Sequence, residues 1–318
     1  MARVRTRFAP SPTGDLHLGG AWTALSSWLV ARRAPGGLHA MRVEDLDPPR
    51  VVAGAEARIL DDLRWLGLDW DGQVMHQSAR GAAYEEAIAT LAARGLVYPC
   101  DCSRAEIARV ASAPHAGEET VYPGLCRDRD PARPMKREPA LRVRVPDEVL
   151  LYDDGAVGRV EQRLAREVGD FVLRRADGVY AYQLAVVVDD LAAGITDVVR
   201  GADLVSSTPR QIWLAQMLGQ APPRYTHVPL VVAPDGARLE KRTAGVTVRE
   251  LREAGVTPER IVGELAHGLG LAATAEPIAP RALAGKLAEA ANAGPLAWSR
   301  APWPIPASLA GAASVVRG

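Results

Sequence analysis

Cysteine, lysine and long apolar runs are scarce in this chain of 318 residues. It has three cysteines, and only Lys136, Lys241 and Lys286 among its 38 basic residues are lysines. Three cysteines cannot form a paired disulfide framework, and two of them stand one residue apart, which in a reducing compartment favours a metal site or no site at all. Because arginine serves for most positive charges here, a retained lysine suggests a need for the compact ammonium itself.

Neither membrane insertion nor secretion is predicted. The apolar run of residues 24–31 contains two serines and is too short to span a bilayer, and the first residues lack the apolar block of a signal peptide. We therefore expect a cytoplasmic protein, with no membrane partner, that acts as a monomer. The formal net charge is zero, so any contact with RNA has to be local.

Alternating strand and helix patterns predict a parallel α/β sheet. Residues 4–8 alternate with arginines, as in a strand with one buried face, and a Pro/Gly loop follows. A helical run from Trp22 to Leu29 and a second strand over residues 38–43 complete a βαβ unit. Further helices are predicted over residues 55–66, 84–94 and 209–218, and further strands over residues 184–188, 197–199 and 228–232.

Between residues 98 and 175 this alternation stops. Seven prolines and many arginines predict an inserted, irregular module of residues 99–177, so the α/β domain is split into residues 1–98 and 178–245. After residue 245 the pattern is helical, with Thr257 as a cap and Pro258 in the first turn. We therefore predict a helical C-terminal region of residues 246–318.

A glycine-rich turn follows the first predicted strand. The string RFAPSPTGDLHLGG, residues 7–20, leads from a strand through a loop into a helix. Such a junction points free backbone N–H groups and the positive helix end at a phosphate, and Gly19 and Gly20 allow a base or ribose to approach closely. His17 can donate to phosphate oxygens. Taken alone, the turn is more simply explained as a tight loop with a partly exposed histidine.

A basic loop, RLEKR over residues 238–242, follows the turn PDG. The ammonium of Lys241 on a mobile loop can neutralise charge on a triphosphate during in-line displacement. An ordinary charged surface turn is the alternative. The rarity of lysine and the position of the loop after a returning strand favour the functional interpretation.

Charged and aromatic residues stand at or near the ends of predicted strands, where open α/β sheets bind ligands. Guanidinium groups suit carboxylates, and an acidic side chain suits an ammonium. Taken singly, each residue is more simply explained as a surface charge or a strand-edge aromatic. The candidates are Arg7, Glu44, Tyr182 and Arg200.

Two thiolates one residue apart, Cys100 and Cys102, and a third from a loop, Cys126, satisfy three corners of a tetrahedral zinc site. Tyr122 is a candidate for the fourth ligand, and His115 is the chemically commoner one. Three unconnected buried cysteines are the alternative. The site would be structural, because the inserted module has few apolar runs and could use a metal to hold it together.

Together these motifs resemble the class I aminoacyl-tRNA synthetases, and residues 7–20 resemble their glutamate and glutamine branch. Gly20 departs from the first signature of the class, which usually has histidine there. The second signature is matched only loosely, since Arg238 replaces the usual first lysine and Glu240 the usual serine. Only Lys241 is therefore carried over from it.

The resemblance covers residues 3 to about 245 and implies a Rossmann-like parallel sheet with an inserted zinc-bearing module and a small helical C-terminal region. It implies catalytic roles for His17, Gly19 and Lys241, and ATP binding by these residues and Gly20. It also implies a set of residues that contact glutamate, namely Arg7, Phe8, Ala9, Pro10, Ser11, Glu44, Tyr182 and Arg200.

Within that branch, the chain resembles short paralogues of glutamyl-tRNA synthetase that lack the anticodon-binding domain, because only 76 residues follow Arg242. Such paralogues carry a Cys-x-Cys, Tyr and Cys zinc set, which favours Tyr122 over His115. The implied ligase activates L-glutamate with ATP and Mg²⁺, without tRNA, and passes it to the queuosine base of tRNA(Asp). A truncated synthetase that charges a tRNA 3′ end and a non-catalytic nucleotide- or RNA-binding relic remain alternatives.

Overall fold

A computed structural model describes residues 3–110, 121–130, 132–237, 246–290 and 295–317. The predicted catalytic Lys241 and the alternative zinc ligand His115 lie outside these residues. Within the described ranges, no helix is long and apolar enough to cross a membrane.

The first part of the chain forms the predicted βαβ unit and extends it. Strands β1 and β2 pair in parallel, with Arg5 opposite Leu38, and β2 pairs in parallel with β3. The elements are β1 (Arg5–Phe8), α1 (Leu18–Arg32), β2 (Leu38–Val43), α2 (Ala55–Trp65), β3 (Met75–His76) and α3 (Gly81–Ala93). The prediction that only one face of β1 is buried is wrong. Arg7, on the face assigned to solvent, is 5% exposed, because a buried ion pair with Asp190 satisfies its charge.

The inserted segment is more regular than its proline content predicted. It contains β4 (Val97–Cys100), α4 (Arg104–Val110), β5 (Ala140–Val143), β6 (Val149–Asp154), β7 (Gly158–Arg163), α5 (Leu164–Glu167) and β8 (Phe171–Arg174). Strands β4, β5 and β8 form an antiparallel sheet, and β6 and β7 form a separate hairpin. Of the prolines in the described residues, Pro99 lies in β4, and Pro123, Pro134, Pro139 and Pro146 lie between elements.

The chain then returns to the parallel sheet through α6 (Tyr182–Ala192), β9 (Asp197–Gly201), α7 (Thr208–Met217) and β10 (Arg224–Val228), and the short strand β11 (Val231–Val232) follows. Strand β10 pairs in parallel with β9. The N–H of Thr196 donates to the Arg5 carbonyl at 2.9 Å, which places β9 beside β1.

The predicted strand over residues 184–188 is wrong, because this run lies in α6. All five of its residues are buried, and a short apolar run that is buried on every side has the same pattern in a helix and in a strand. Tyr182 therefore begins a helix and does not end a strand. The strand predicted over residues 228–232 is also interrupted, since β10 ends at Val228 and β11 begins at Val231.

The C-terminal region is helical, as predicted, and packs against α1. It contains α8 (Val248–Glu253), α9 (Pro258–Gly268), α10 (Pro280–Glu289), β12 (Trp303–Pro304) and α11 (Ala307–Arg317). Thr257 caps α9 by accepting from the Arg260 N–H. Strand β12 pairs in parallel with β11, and Trp303 stacks on Trp22 of α1 with ring centroids 5.0 Å apart. These contacts make the tail part of the core around α1.

Candidate active site

His17 caps the N-terminus of α1. Its Nδ1 accepts a hydrogen bond from the Gly20 N–H at 3.0 Å. The residue is exposed, but desolvation by the surrounding protein lowers the pKa of the ring, and the charge of Asp203 opposes this only in part. A neutral ring that accepts at Nδ1 carries its proton on Nε2. His17 therefore presents an N–H donor at the helix end that favours a phosphate.

Gly19 and Gly20 leave little room for side chains beside this histidine. A Cβ on Gly19 would lie 3.0 Å from His17 Nδ1, and one on Gly20 would lie 2.7 Å from Leu16 Cδ1. Leu16 is 3% exposed, so it cannot move aside without repacking. Gly20, which stands where the class usually has histidine, thus leaves room for the side chain of Leu16.

Residues on both sides of the segment 238–245 contact the same end of α1. The Leu18 N–H donates to the Val246 carbonyl at 2.9 Å, and the Val248 N–H donates to the Leu16 carbonyl at 2.8 Å. On the other side of the loop, Val231 Cβ lies 4.0 Å from the position that a Cβ on Gly19 would take. Residues before and after the segment 238–245 therefore contact the turn that carries His17.

A buried ion network lies at the carboxyl ends of β1 and β2. Asp190 of α6 accepts from Arg7 Nε at 3.1 Å and also pairs with Arg42. Arg42 Nη2 lies 3.1 Å from Glu44. Burial alone would raise the pKa of Asp190, but the charges of Arg42 and Arg7 lower it below its ordinary value. For Glu44, burial outweighs the same two arginines and raises the pKa.

This network leaves donors of Arg7 available. Asp190 engages only the Nε of Arg7, and in the described part of the chain neither terminal nitrogen of this guanidinium has a hydrogen-bond partner. The loop after β1 is fastened to the end of β2, because the Glu44 N–H donates to the Pro10 carbonyl at 2.9 Å. Phe8 is buried, Ala9 and Pro10 are half-buried and Ser11 is exposed.

Arg200, near the end of β9, is held by polar groups from three other elements. Its Nη2 donates to Thr208 Oγ1 at 2.7 Å, its Nε donates to His227 Nε2 at 3.1 Å, and its Nη1 lies 3.4 Å from the Tyr182 hydroxyl. Burial lowers the pKa of His227, with Asp154 opposing the shift. Neither Thr208 nor His227 was predicted, because no local sequence pattern marks them.

The residues that were predicted to bind the substrate amino acid come together around Tyr182. Tyr182 is 36% exposed, yet desolvation raises its pKa, while the charge of Arg200 lowers it. The charges of Glu44 and Arg7 act on the same hydroxyl, Glu44 raising and Arg7 lowering the pKa. Two guanidinium groups, one carboxylate and one phenol thus converge at one edge of the sheet.

The three cysteines of the inserted module also converge. Their sulfur atoms all lie within 4.8 Å of one another, and those of Cys102 and Cys126 are 3.5 Å apart. A tetrahedral zinc with bonds of about 2.3 Å would require sulfur separations of about 3.8 Å. The Tyr122 hydroxyl lies 3.3 Å from Cys100 Sγ and accepts from the Cys126 N–H at 2.8 Å. This cluster can hold a metal ion.

Two arginines surround the cluster with positive charge. Arg133 Nη2 lies 3.4 Å from Cys126 Sγ and 2.7 Å from Asp101 Oδ1. The Arg142 guanidinium lies 3.8 Å above the Tyr122 ring. Hydrogen bonds from Arg133 hold the pKa of Asp101 well below its usual range. Burial alone would raise the pKa of the Cys100 thiol, but hydrogen bonds that include one from Arg142 lower it.

Comparison with known proteins places this geometry in a family. Residues 3–277 match the family of class I tRNA synthetases (E and Q), catalytic domain. The chain belongs to this family. The predicted fold class is therefore confirmed.

Two relatives of this synthetase are similar over most of their length. A glutamyl-Q tRNA(Asp) synthetase of Nitratidesulfovibrio vulgaris is 47% identical over 302 residues, which are 90% of this chain and 93% of that protein. One of Geobacter sulfurreducens is 54% identical over 248 residues, 78% of each chain. The predicted resemblance to short paralogues of glutamyl-tRNA synthetase is confirmed.

A solved structure supports the same fold. The crystal structure of a glutamate tRNA ligase from Elizabethkingia meningosepticum, in complex with its amino acid, aligns with this synthetase at a TM-score of 0.77 and 26% identity. The alignment covers 89% of this chain and 64% of the ligase. This chain thus spans slightly less than two thirds of the length of that ligase.

Proposed function

We propose that this synthetase activates L-glutamate with ATP and Mg²⁺ and transfers the glutamate to the queuosine base of tRNA(Asp). The observation that supports this best is the arrangement around Tyr182, where the terminal nitrogens of Arg7, the guanidinium of Arg200 and the carboxylate of Glu44 match the charges of glutamate. Relatives named glutamyl-Q tRNA(Asp) synthetase support the choice of acceptor.

In the proposed first step, a glutamate α-carboxylate oxygen attacks the α-phosphorus of ATP, and the bond to pyrophosphate breaks. No enzyme nucleophile takes part, so the protein contributes position and charge neutralisation. His17 donates from Nε2 to the phosphates, the α1 N-terminus supplies backbone N–H groups, and Lys241 neutralises the leaving pyrophosphate. Mg²⁺ would offset further phosphate charge.

The amino acid is held by groups of complementary charge. Arg7 and Arg200 receive the side-chain carboxylate, Glu44 binds the ammonium, and Tyr182 closes the pocket. The remaining proposed contacts come from the loop after β1, which the Pro10–Glu44 hydrogen bond holds in place. These contacts are Phe8, Ala9, Pro10 and Ser11.

We further propose that Cys100, Cys102, Cys126 and Tyr122 bind one structural Zn²⁺. Support comes from the sulfur separations and from the 3.3 Å distance between the Tyr122 hydroxyl and Cys100 Sγ. The metal would crosslink β4 to the loop before β5. The proposed units remain the split catalytic domain of residues 1–98 and 178–245, the inserted module of residues 99–177 and the C-terminal region, working as a cytoplasmic monomer.

Glutamate-dependent exchange of pyrophosphate into ATP tests the activation step. Purified protein without tRNA is expected to catalyse exchange with L-glutamate and not with L-glutamine. Lys241→Ala should lower kcat by about 100-fold or more, the usual cost of losing a charge that stabilises the transition state, while Lys286→Ala on exposed α10 should leave it unchanged. Absence of exchange in the unaltered protein would refute the proposal, and full exchange by Lys241→Ala would remove the lysine from the mechanism.

The acceptor is tested with two preparations of tRNA(Asp), one containing queuosine and one from cells that cannot make it. Labelled glutamate should enter only the first preparation. Equal labelling of both preparations at the 3′ end would instead identify a truncated charging synthetase.

A further inference from the structure

The hairpin of the inserted module docks directly on the catalytic sheet. At its turn, the Gly155 N–H donates to the Tyr225 carbonyl of β10 at 2.9 Å. A Cβ on Gly155 would collide with the side chain of Thr226, so a glycine at this position lets the turn pack closely against β10. The contact lies next to His227, which touches the proposed glutamate ligand Arg200.

Asp154, the last residue of β6, accepts hydrogen bonds from His227 with both carboxylate oxygens. Oδ1 accepts from the backbone N–H groups of His227, Ala156 and Val157, each at 3.0 Å. Oδ2 lies 2.6 Å from His227 Nδ1. Both side chains are fully buried, so no water competes for these hydrogen bonds.

The opposite edge of the histidine ring faces Arg200. His227 Nε2 lies 3.1 Å from Arg200 Nε and 3.1 Å from Thr208 Oγ1. An arginine Nε carries a hydrogen and can only donate, so His227 Nε2 has to accept. The single proton of the neutral ring then lies on Nδ1, where Asp154 accepts it. The carboxylate thus selects the tautomer that Arg200 requires.

We infer that Asp154 and His227 are positioning residues of the amino-acid pocket, through which the inserted hairpin fixes the orientation of the Arg200 guanidinium. The inference rests on the proposed role of Arg200 in binding glutamate. It extends that role by making the inserted module a part of amino-acid recognition.

The variant Asp154→Asn tests this with a change of one atom. Three backbone N–H groups point at Oδ1, so an oxygen stays there and the amide NH₂ takes the place of Oδ2. That NH₂ requires an acceptor at His227 Nδ1, which moves the ring proton to Nε2, facing the Nε–H of Arg200. The hydrogen bond to the guanidinium is then lost. In pyrophosphate exchange, KM for glutamate should rise by about tenfold, as expected for a lost hydrogen bond to a charged group.

The kinetic signature distinguishes positioning from a general structural defect. KM for ATP and kcat are expected to stay within about twofold of their original values, because the damage is confined to one ligand of the amino acid. Asp153→Asn is the matched control, since it makes the same chemical change at the exposed neighbouring residue and should leave every constant unaltered. An unaltered KM for glutamate in Asp154→Asn would overturn the inference, as would a rise of both KM values together.

A spectroscopic measurement makes the inference testable even if Asp154→Asn does not fold. Nitrogen-15 NMR of the histidine rings in the full-length protein should show His227 protonated at Nδ1, with its signals assigned by their absence in His227→Gln. The folded Asp154→Asn variant should show the proton at Nε2. A proton at Nε2 in the unaltered protein would contradict the inference. If the unaltered protein shows no exchange at all, the proposed function is refuted. Normal exchange with His227 protonated at Nε2 would refute only this inference.

Discussion

The amino-acid pocket and the cysteine cluster each bring groups of like charge together, but they differ in how that charge is offset. In the pocket, Arg7 and Arg42 come from neighbouring strands. Asp190, from a helix that is distant in the sequence, lies between them. In the cluster, burial and the adjacent sulfur atoms of Cys126 and Cys100 raise the pKa of Cys102 to about 12. In the pocket Asp190 thus offsets the charges of Arg7 and Arg42, while Arg133 and Arg142 beside the cluster leave the pKa of the Cys102 thiol raised.

This difference indicates which of the two sites has its binding geometry before its ligand binds. The pocket is preorganised, because Asp190 holds Arg7 and Arg42 in place whether or not an amino acid is bound. The cluster gains its full set of bonds only with a metal, so its stability should be linked to metal binding. Three experiments test the contrast.

The largest effect is expected from Arg7→Met. This variant removes two free donors from the pocket and leaves Asp190 with one arginine, so kcat/KM for glutamate should fall by at least about 100-fold in pyrophosphate exchange. Arg5→Met is the matched control on the same strand, since within the described residues the only hydrogen bond from the Arg5 side chain goes to the Ala193 carbonyl. Comparable losses in both variants would mean that the strand, and not the pocket, had been damaged.

A smaller effect, on stability alone, is expected from Cys126→Ser. Its bound zinc, measured by atomic absorption, should fall well below one per chain, and its melting temperature should fall by about 5 °C or more. Glutamate-dependent exchange at 25 °C should stay within about twofold of the original rate, because the pocket does not depend on the metal. Full zinc content with unchanged melting would refute a metal site formed by these ligands.

The smallest effect concerns pH. Because burial raises the pKa of Glu44, this carboxylate takes up a proton on acidification earlier than an ordinary glutamate does. Its ion pair with the substrate ammonium is then lost, so KM for glutamate should rise severalfold as the pH falls from about 8 to about 5. Glu44→Gln should raise KM at every pH and flatten the profile. A slope that persists in this variant would assign the titration to another group.

Sequence patterns predicted the groups that lie on short local motifs. His17 and the glycines follow the first strand, and Cys100, Cys102 and Cys126 combine a tight pair with a nearby loop. The fold class could be predicted from the βαβ pattern and the resemblance together. The role of Lys241 remains a prediction, because it lies outside the described residues.

The groups that the sequence did not reveal are those that hold others in place. Asp190, Thr208 and His227 act through partners that are distant in the chain, and their own neighbours form no recognisable motif. The valine-rich run 184–188 was also misleading, since β-branched residues favour strands and here the packing of α6 overrides that preference. A single sequence contains little information on such long-range pairs.

The backbone pairing of Leu16 and Leu18 with Val246 and Val248 places His17 between two hydrogen bonds to the C-terminal region. The turn that carries this histidine therefore depends for its conformation on residues that follow the catalytic sheet in the chain. A substitution that displaces α8 should disturb this turn as well as the helix itself.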